Sequence, residues 1–241
     1  MKKVTILLSA LMLVSSAFLS AQTIDDVLKE HFKAIGQEKL LKVNTLKTTG
    51  KLVQSGIEIP FIQFAKRPEC VRIEGTFQGL SFVQTYNGKD GWDLNPFAGI
   101  TEPQPMGEDA LKSMKYSADI DGMLWNWKAK GYTVTLDGKE DMEGTSCFKV
   151  KLVTKEKDGD TFTYYLDADS YMMIRTNTKV KVQGNDSESD TYYSNYMQVV
   201  GLAMAGKIET KMNGQVVMTI ITDKVELNMD LDKTLFEKPA K

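Results

Sequence analysis

A succession of short alternating segments, separated by two-residue turn signals, constrains this sequence more than any other feature. Asn87-Gly88, Asp158-Gly159 and Asn213-Gly214 are dipeptides typical of tight β-hairpins, because both residues tolerate a positive φ angle. The pattern predicts about a dozen antiparallel strands. They fall at residues 43–53, 57–66, 69–75, 80–86, 91–94, 132–139, 146–154, 161–167, 172–182, 189–199, 203–212 and 215–227. The sequence therefore predicts a mainly β protein built on a large antiparallel sheet.

Residues 92–131 form the long interruption of this pattern. Gly99, Pro103 and Pro105 break the strand pattern, and two helices are then predicted at 108–114 and 120–129. A loop of this length inside a compact domain is usually functional or disordered, and its dense apolar content favours function. We expect this stretch to be a plug or lid that packs onto the sheet. The apolar side chains of its second helix are Met123, Leu124, Trp125 and Trp127.

The first residues have the pattern of an export signal. Lys2 and Lys3 precede an apolar run at residues 4–13, and small residues lead to a predicted cleavage after Ala21. The apolar run is too short and too interrupted by serine to predict a transmembrane helix. We therefore expect residues 1–21 to be a signal peptide and residues 22–241 to form a single domain in the periplasm.

The charge balance limits the class of partner. The formal net charge is −2, and the sequence contains no basic stripe that could neutralise the phosphates of a nucleic acid. We therefore do not expect nucleic acid as a partner. The expected oligomeric state is a monomer. Cys70 and Cys147 lie in strands that would not be neighbours in a sequential meander, so we expect two unpaired thiols.

An amphipathic helix is predicted at residues 24–35, ending at Gly36, with His31 at the edge of its apolar face. His31 is the single histidine of the chain. A single histidine has no partner with which to build a metal site, so a packed core or boundary position is favoured over a ligand or a catalytic base. We expect neither a metal nor a cofactor.

The predicted sheet is large enough to curl. In the C-terminal half one face is apolar and the other polar, whereas the N-terminal strands are apolar on both faces and should be covered twice, on one side by a helix. The curled sheet could enclose either a filled core or a cavity. The thirteen methionines are compatible with an adaptable core and with a cavity lining that repacks around ligands.

No catalytic motif stands out. The sequence lacks Gly-x-Ser-x-Gly, a His/Cys cluster and a Gly-rich loop leading into a helix, so we expect no catalytic residues and a protein that is not an enzyme. An enzyme that acts on lipid or glycan with paired carboxylates remains the alternative, and a structural β protein with a filled trough remains another. The carboxylate pairs lie mostly at turns and helix starts, where Asp is expected for local hydrogen bonding. They are Asp25/Asp26, Asp119/Asp121, Asp167/Asp169 and Glu140/Asp141/Glu143.

Two segments carry a resemblance to a family. Lys66-Arg67-Pro68 joins two predicted strands, and Asn87-Gly88-Lys89-Asp90-Gly91-Trp92 leads to Asn95-Pro96. Together these segments resemble the signature of the LolA-type periplasmic lipoprotein carriers and the related lipoprotein-sorting-like proteins. The resemblance implies an incomplete antiparallel β-barrel of about eleven strands, with an N-terminal helix and a central helical lid over a hydrophobic concavity.

The resemblance also implies a function and a set of site residues. The protein would shelter acyl chains, of lipoproteins or of free lipid, for delivery to the outer membrane, with an inner-membrane transporter and an outer-membrane receptor as partners. The lid-closing arginine of the family falls on Arg67, which would bind backbone carbonyls of the lid. The expected apolar ligand-binding and lid residues are Phe61, Phe82, Trp92, Phe97, Met114, Met123, Leu124, Trp125 and Trp127.

Overall fold

The computed structural model describes residues 22–155 and 159–240. Within these ranges the helices are α1 (Ile24–Ile35), α2 (Gln37–Leu40) and α3 (Glu108–Ala118), with 3-10 turns at Pro96–Ala98 and Lys233–Phe236. The first strands are β1 (Thr45–Gln54), β2 (Ile57–Lys66), β3 (Cys70–Phe77), β4 (Leu80–Tyr86), β5 (Gly91–Asn95) and β6 (Ile100–Pro105). The later strands are β7 (Thr133–Met142), β8 (Thr145–Val153), β9 (Thr161–Asp167), β10 (Met173–Val182), β11 (Asn185–Ser194), β12 (Met197–Val199), β13 (Leu202–Met204), β14 (Lys207–Met212) and β15 (Gln215–Leu227).

The strands of the described residues form one large antiparallel sheet and a small hairpin. The large sheet has thirteen strands in the order β6-β5-β4-β3-β2-β1-β15-β14-β11-β10-β9-β8-β7, and β12 pairs only with β13. The sheet is not closed, because β6 and β7 are edge strands and do not pair with each other. The predicted mainly β fold, an open antiparallel barrel with an N-terminal helix, is confirmed. The sheet has thirteen strands rather than about eleven, in part because residues 100–105 pair as β6 and do not remain in the loop.

The long interruption is a crossover. The chain leaves the sheet at one edge strand, β6, and re-enters it at the opposite edge strand, β7, so the segment between them must cross the open face. Helix α3 lies in this crossover, and Met114 and Ala118 pack against Val71 and Tyr86 of β3 and β4. On its other side, the ring of Tyr116 meets Phe162 of β9 edge to face, with centroids 5.5 Å apart. Helix α3 therefore bridges two distant parts of the curled sheet.

The prediction of a second lid helix at 120–129 is wrong. These residues form successive hydrogen-bonded turns instead, with Gly122 N donating to Asp119 O at 3.0 Å and Trp125 N donating to Gly122 O at 3.1 Å. Gly122 and Asn126 have φ angles of 77° and 52°, in the left-handed region that a right-handed helix cannot contain. The apolar density of this segment reflects packing against the sheet, not helical periodicity. We call residues 119–131 the turn segment.

Helix α1 follows the prediction closely. A capping box between Thr23 and Asp26 begins it, and Gly36 ends it in the left-handed conformation. Its buried residues Val27 and Leu28 join the main core with the apolar faces of β8 and β9. His31 is 2% exposed, and its Nδ1 lies 2.8 Å from the carbonyl oxygen of Tyr171. The predicted core position of His31 is confirmed.

Strands β3 and β4 are covered on both faces, as predicted for the N-terminal strands, and a helix covers one of these faces. Helix α3 covers the inner face of β3 and β4. The outer face is covered by the C-terminal segment, not by a helix of the N-terminal half: Thr85 Oγ1 donates to Phe236 O at 3.0 Å, and Arg72 Nη1 donates to Leu235 O at 3.2 Å. Phe236 is 1% exposed in this position. The last residues of the chain thus complete the core of the first strands.

Several further sequence predictions do not concern the order of the strands. The predicted signal peptide, residues 1–21, and Asp158 of the Asp158-Gly159 turn lie outside the described residues. Cys70 and Cys147 are free thiols. Among the helices of residues 22–155 and 159–240, none is long and apolar enough to cross a membrane.

Candidate ligand cavity and outer groove

A cavity of about 560 Å³ lies between the inner face of the sheet and the helical cover. Its sheet wall includes Phe61, Ile208 and Ile220, from β2, β14 and β15. Its cover includes Ile35 of α1, Leu40 of α2 and Ile120 of the turn segment, with Leu202 and Met204 of β13 at one side. We call this space the inner cavity. Its size falls within the range of about 300–1,000 Å³ that is typical of ligand pockets.

The inner wall depends on a bulge in β15. Side chains of a strand normally alternate between faces, so residues two apart share a face. Thr49 pairs with Lys224 while the next residue, Gly50, pairs with Thr222, so one residue of β15 is unpaired between them. This bulge lets Thr222 and Val225, which are three apart, both face the inner cavity.

The polar groups of the cavity wall are mostly uncharged. Burial raises the pKa values of Tyr193 and Tyr196, and it lowers the pKa of His31, so all three are neutral near pH 7. The hydroxyl of Tyr196 donates to Met173 O at 2.6 Å. Asp119 is the charged residue of the wall, and Lys130 Nζ lies 2.5 Å from its carboxylate. The cavity therefore offers an apolar chain a wall without an uncompensated charge.

Arg67 joins the two parts of the cover. Its Nε donates to Val43 O at 2.7 Å and its Nη2 donates to Leu40 O at 3.1 Å, at the end of α2. The same guanidinium binds both carboxylate oxygens of Asp121 in the turn segment, at 2.8 and 2.5 Å. These hydrogen bonds to the Asp121 carboxylate raise the pKa of Arg67 above its usual value. Arg67 thus contacts the turn segment through the Asp121 carboxylate, whereas the backbone carbonyls that it binds belong to α2 and to the α2–β1 connection and not to the predicted lid.

A second and larger concave space, of about 870 Å³, lies on the outer side of α1. It is bounded by α1, by α2, by the 124–128 turns and by Gly201 of the β12–β13 hairpin. We call it the outer groove. Leu28 and Phe32 of α1 face the groove, whereas His31 and Ile35 face the inner cavity, so the helix separates the two spaces.

The predicted lid residues are divided between these spaces. Leu124, Trp125 and Trp127 line the outer groove, and Met123 packs against the main core. None of these four lines the inner cavity. Because the segment is a series of turns and not a helix, its apolar side chains do not share one inward face. The predicted inner surface of the lid is therefore not formed, because these side chains lie on different sides of the segment.

The predicted site residues of the N-terminal strands are also divided. Phe61 lines the inner cavity, and the ring of Phe82 lies over Gly75 on the same inner face. Met114 is 5% exposed and belongs to the core between α3 and β3.

Trp92 and Phe97 lie away from both spaces. Trp92 pairs with Thr85, which faces the C-terminal segment on the outer side of the sheet. Phe97 is 49% exposed and contacts Phe77, with ring centroids 6.3 Å apart. The short 3-10 turn at Pro96–Ala98 turns this ring towards the end of the sheet.

Sequence reasoning missed much of the cavity wall. Ile208, Ile220 and Val225 were assigned to strands but not to a site, and Leu202 lay between two predicted strands. Their alternation with polar neighbours was a usable signal for an apolar face, but it does not reveal which face is concave.

The candidate carboxylate pairs have structural partners in the described residues. Asp167 accepts hydrogen bonds from the backbone of Asp169 and Ser170, and these bonds lower its pKa. Asp26 belongs to the capping box of α1, and Asp121 binds Arg67. Within the described part of the chain, no group of three or more His, Cys, Asp or Glu residues could hold a metal ion.

Comparison with known proteins finds solved structures with the same architecture. No protein-family model matches the sequence, and no curated protein matches it. A DUF1329 family protein from Desulfovibrio piger superposes with a TM-score of 0.60 and 12% identity, over 88% of this chain and 97% of its own. A LolA superfamily protein from Nitrosomonas europaea has a TM-score of 0.59 and 13% identity, over 90% of this chain and 99% of its own.

A third solved structure, an outer membrane lipoprotein-sorting protein domain from Vibrio parahaemolyticus, has a TM-score of 0.58 and 12% identity. That match covers 87% of this chain and 97% of the Vibrio domain. At such identities the similarity concerns the fold, and it shows that this chain has the LolA-like fold. The fold that the resemblance predicted is therefore confirmed.

Proposed function

We propose that this chain is an exported binding protein that shelters the acyl chain of a lipoprotein, or of a free lipid, inside the inner cavity. The observation that carries the proposal is the cavity itself, of about 560 Å³, enclosed between an apolar sheet face and a helical cover. The names of two proteins with the same fold, a LolA superfamily protein and an outer membrane lipoprotein-sorting domain, support the same ligand class.

The energetics of an acyl chain explain why a cover is useful. Burying one methylene is worth about 0.8 kcal/mol, so a chain of about sixteen carbons gains on the order of 10 kcal/mol on leaving water. A carrier must release that chain at its destination. A cover that contacts its own apolar wall when the cavity is empty lowers the net gain of binding and makes release feasible.

Arg67 suits the role of holding such a cover. Its contacts with Leu40, Val43 and Asp121 join α2, the α2–β1 connection and the turn segment. Of these, α2 and the turn segment border the cavity. An entering chain that separates these elements has to break the contacts of Arg67. In this proposal Arg67 stabilises the closed, empty state.

Paired substitutions on β15 test the proposal. Ile220 lines the inner cavity, whereas its neighbour Ile221 is 37% exposed on the other face. After removal of bound lipid, each variant is titrated with a fluorescent fatty acid. Ile220→Trp should weaken binding at least tenfold by filling the cavity, and Ile221→Trp should leave binding unchanged. Unchanged binding by a folded Ile220→Trp variant would contradict the proposal.

Native mass spectrometry of protein purified from its own cells identifies the natural ligand. We expect co-purified lipid or lipopeptide in the wild type and its depletion in Ile220→Trp. The proposal also includes residues 22–241 as the mature single domain, a periplasmic location, and an inner-membrane transporter and outer-membrane receptor as partners. Cell fractionation and the N-terminal sequence of the purified protein test the location and the cleavage after Ala21.

A further inference from the structure

The outer groove has the features of a second ligand site, separate from the inner cavity. We propose that it binds the acyl chain of an amphiphile whose headgroup is anionic, either a carboxylate or a phosphate. The groove lies on the outer side of α1, so the inference goes beyond the proposed role of the inner cavity. It does not depend on that role.

The floor of the groove is apolar and aromatic. Leu28 and Leu124 are 3% and 4% exposed and form its base. Phe32 and Trp125 meet edge to face, with ring centroids 4.9 Å apart and an interplanar angle of 78°. Trp127 continues this surface. Partly exposed indoles in a concave surface leave apolar area that a ligand can bury.

The rim of the groove is positively charged. Lys29, Lys33, Lys39 and Lys128 outnumber its acidic residues, Asp25 and Glu38. Lys33 and Lys128 make only long ion pairs, of 3.7 Å to Glu30 and 3.8 Å to Asp25.

Two of the rim lysines are available to a ligand. Within the described part of the chain, Lys29 and Lys39 have no salt-bridge partner among the acidic groups, and both are exposed. Their ammonium groups therefore favour a headgroup of negative charge over a neutral or positive one.

The shape of the groove favours a linear chain. The α1 residues that face it are spaced three and four apart from Asp25 to Gly36, and they form one stripe along the helix. At the helical rise, this stripe is about 16 Å long. A stripe of that length, apolar along its base and basic along its edges, matches an extended acyl chain with an anionic end.

The position of the tryptophans provides a direct reporter. The chain has three tryptophans, and Trp125 and Trp127 line the groove whereas Trp92 does not. In a Trp92→Phe background, tryptophan fluorescence therefore reports occupancy of the groove. The probe is a terminally brominated undecanoate, whose bromine quenches nearby indoles. We expect saturable quenching, and no saturable quenching up to the solubility limit of the probe would overturn the proposal.

A charge reversal tests the role of the rim. Lys29→Glu combined with Lys39→Glu should weaken the brominated carboxylate about tenfold, as expected for two exposed charge interactions. The matched control, Lys42→Glu with Lys115→Glu, changes the net charge equally at exposed lysines that do not line the groove. Equal weakening by both pairs would show that net charge alone acts, and it would overturn the assignment of the rim.

Two further arms separate the site from the inner cavity and identify the headgroup. In the same Trp92→Phe background, Ile220→Phe enlarges a side chain of the inner cavity without adding an indole, and it should leave the quenching unchanged because α1 lies between the two spaces. Loss of quenching in this variant would assign the probe to the inner cavity and refute a second site. A brominated lysophosphatidylglycerol replaces the carboxylate by a phosphate. Tighter binding of one probe than of the other identifies which anionic headgroup the groove selects.

Discussion

Arg67 and Asp121 form a two-point ion pair that joins the β2–β3 connection to the turn segment, with nitrogen–oxygen distances of 2.8 and 2.5 Å. Their side chains are 25% and 19% exposed, so water screens the pair only in part. We expect Asp121→Asn to lower the free energy of unfolding by about 2 kcal/mol, because the guanidinium loses a charged partner in a partly buried site. Denaturant titration measures this loss.

The same substitution should also affect ligand entry. If Arg67 holds the cover closed, Asp121→Asn accelerates uptake of a fluorescent fatty acid in stopped-flow measurements. The control is Lys51→Ala, which removes an exposed ion pair with Glu58 on another part of the sheet. Because water screens this pair, the substitution should change neither the stability nor the uptake rate measurably. An uptake rate equal to that of the wild type would contradict the holding role of Arg67.

His31 should make stability depend on pH. Burial lowers the pKa of His31, so the folded protein keeps it neutral while the unfolded chain protonates near pH 6.5. Below that pH the unfolded state therefore binds more protons than the folded state. The stabilisation that neutral His31 contributes is present above about pH 6.5 and declines as the pH falls towards the folded pKa. The free energy of unfolding then falls by at most about 1.4 kcal/mol per pH unit.

The single histidine makes this prediction easy to isolate. His31→Gln should flatten the dependence between about pH 6.5 and pH 5, where ordinary carboxylates are still ionised. The measurement is denaturant unfolding of both proteins across that range. An equal decline in the variant would assign the effect to other groups.

Asp160, directly before β9, links this strand to α3 through side-chain contacts. Its carboxylate, 3% exposed, accepts a hydrogen bond from the hydroxyl of Tyr116 at 2.8 Å and lies 2.9 Å from Lys112 Nζ. We expect Asp160→Ala to cost about 3 kcal/mol of unfolding free energy, because two buried polar contacts are lost together. Hydrogen exchange should show faster exchange across Glu108–Ala118.

Lys115→Ala provides the control on the same helix. Lys115 is exposed, so its removal should change stability by no more than about 0.5 kcal/mol. Unchanged exchange of α3 in Asp160→Ala would show that core packing alone, and not the Asp160 contacts, holds the helix.

Gly75 allows the ring of Phe82 to lie against the inner face of the sheet. A Cβ atom at position 75 would be 2.6 Å from Phe82 Cε1 and 2.6 Å from Pro60 O. Gly75→Ala should therefore destabilise the protein by about 2 kcal/mol, because a backbone oxygen cannot move aside as a flexible side chain can. Gly107→Ala is the control, since a Cβ there has no neighbour within 4 Å. Thermal unfolding of the two variants measures the difference.

The correct and incorrect parts of the prediction have identifiable causes. Hairpin dipeptides such as Asn213-Gly214 define β14 and β15 because their turn geometry is local. Strand β6 was missed because Pro103 and Pro105 argue against a strand, although proline is tolerated at an edge, where β6 lies. The prediction of a second lid helix was wrong because Gly122 and Asn126 adopt left-handed conformations, which interrupt a right-handed helix. These conformations are compatible with the contacts of Asp121 and Leu124.

The large antiparallel sheet, helix α1 and the buried position of His31 were predictable from the residues alone, because they depend on local turn chemistry and on periodicity. The apolar content of residues 120–129 also predicted a cover over the sheet, whereas the open form of the barrel was implied only by the resemblance to the LolA-type carriers. Only the tertiary structure decided what surrounds the cavity. The pairing of β15 with β1 brings Ile220 beside Leu52, although the two residues are far apart in the chain. Such long-range register, together with the bulge at Thr49/Gly50, selects the side chains that face inward, and neither leaves a local signal in the sequence.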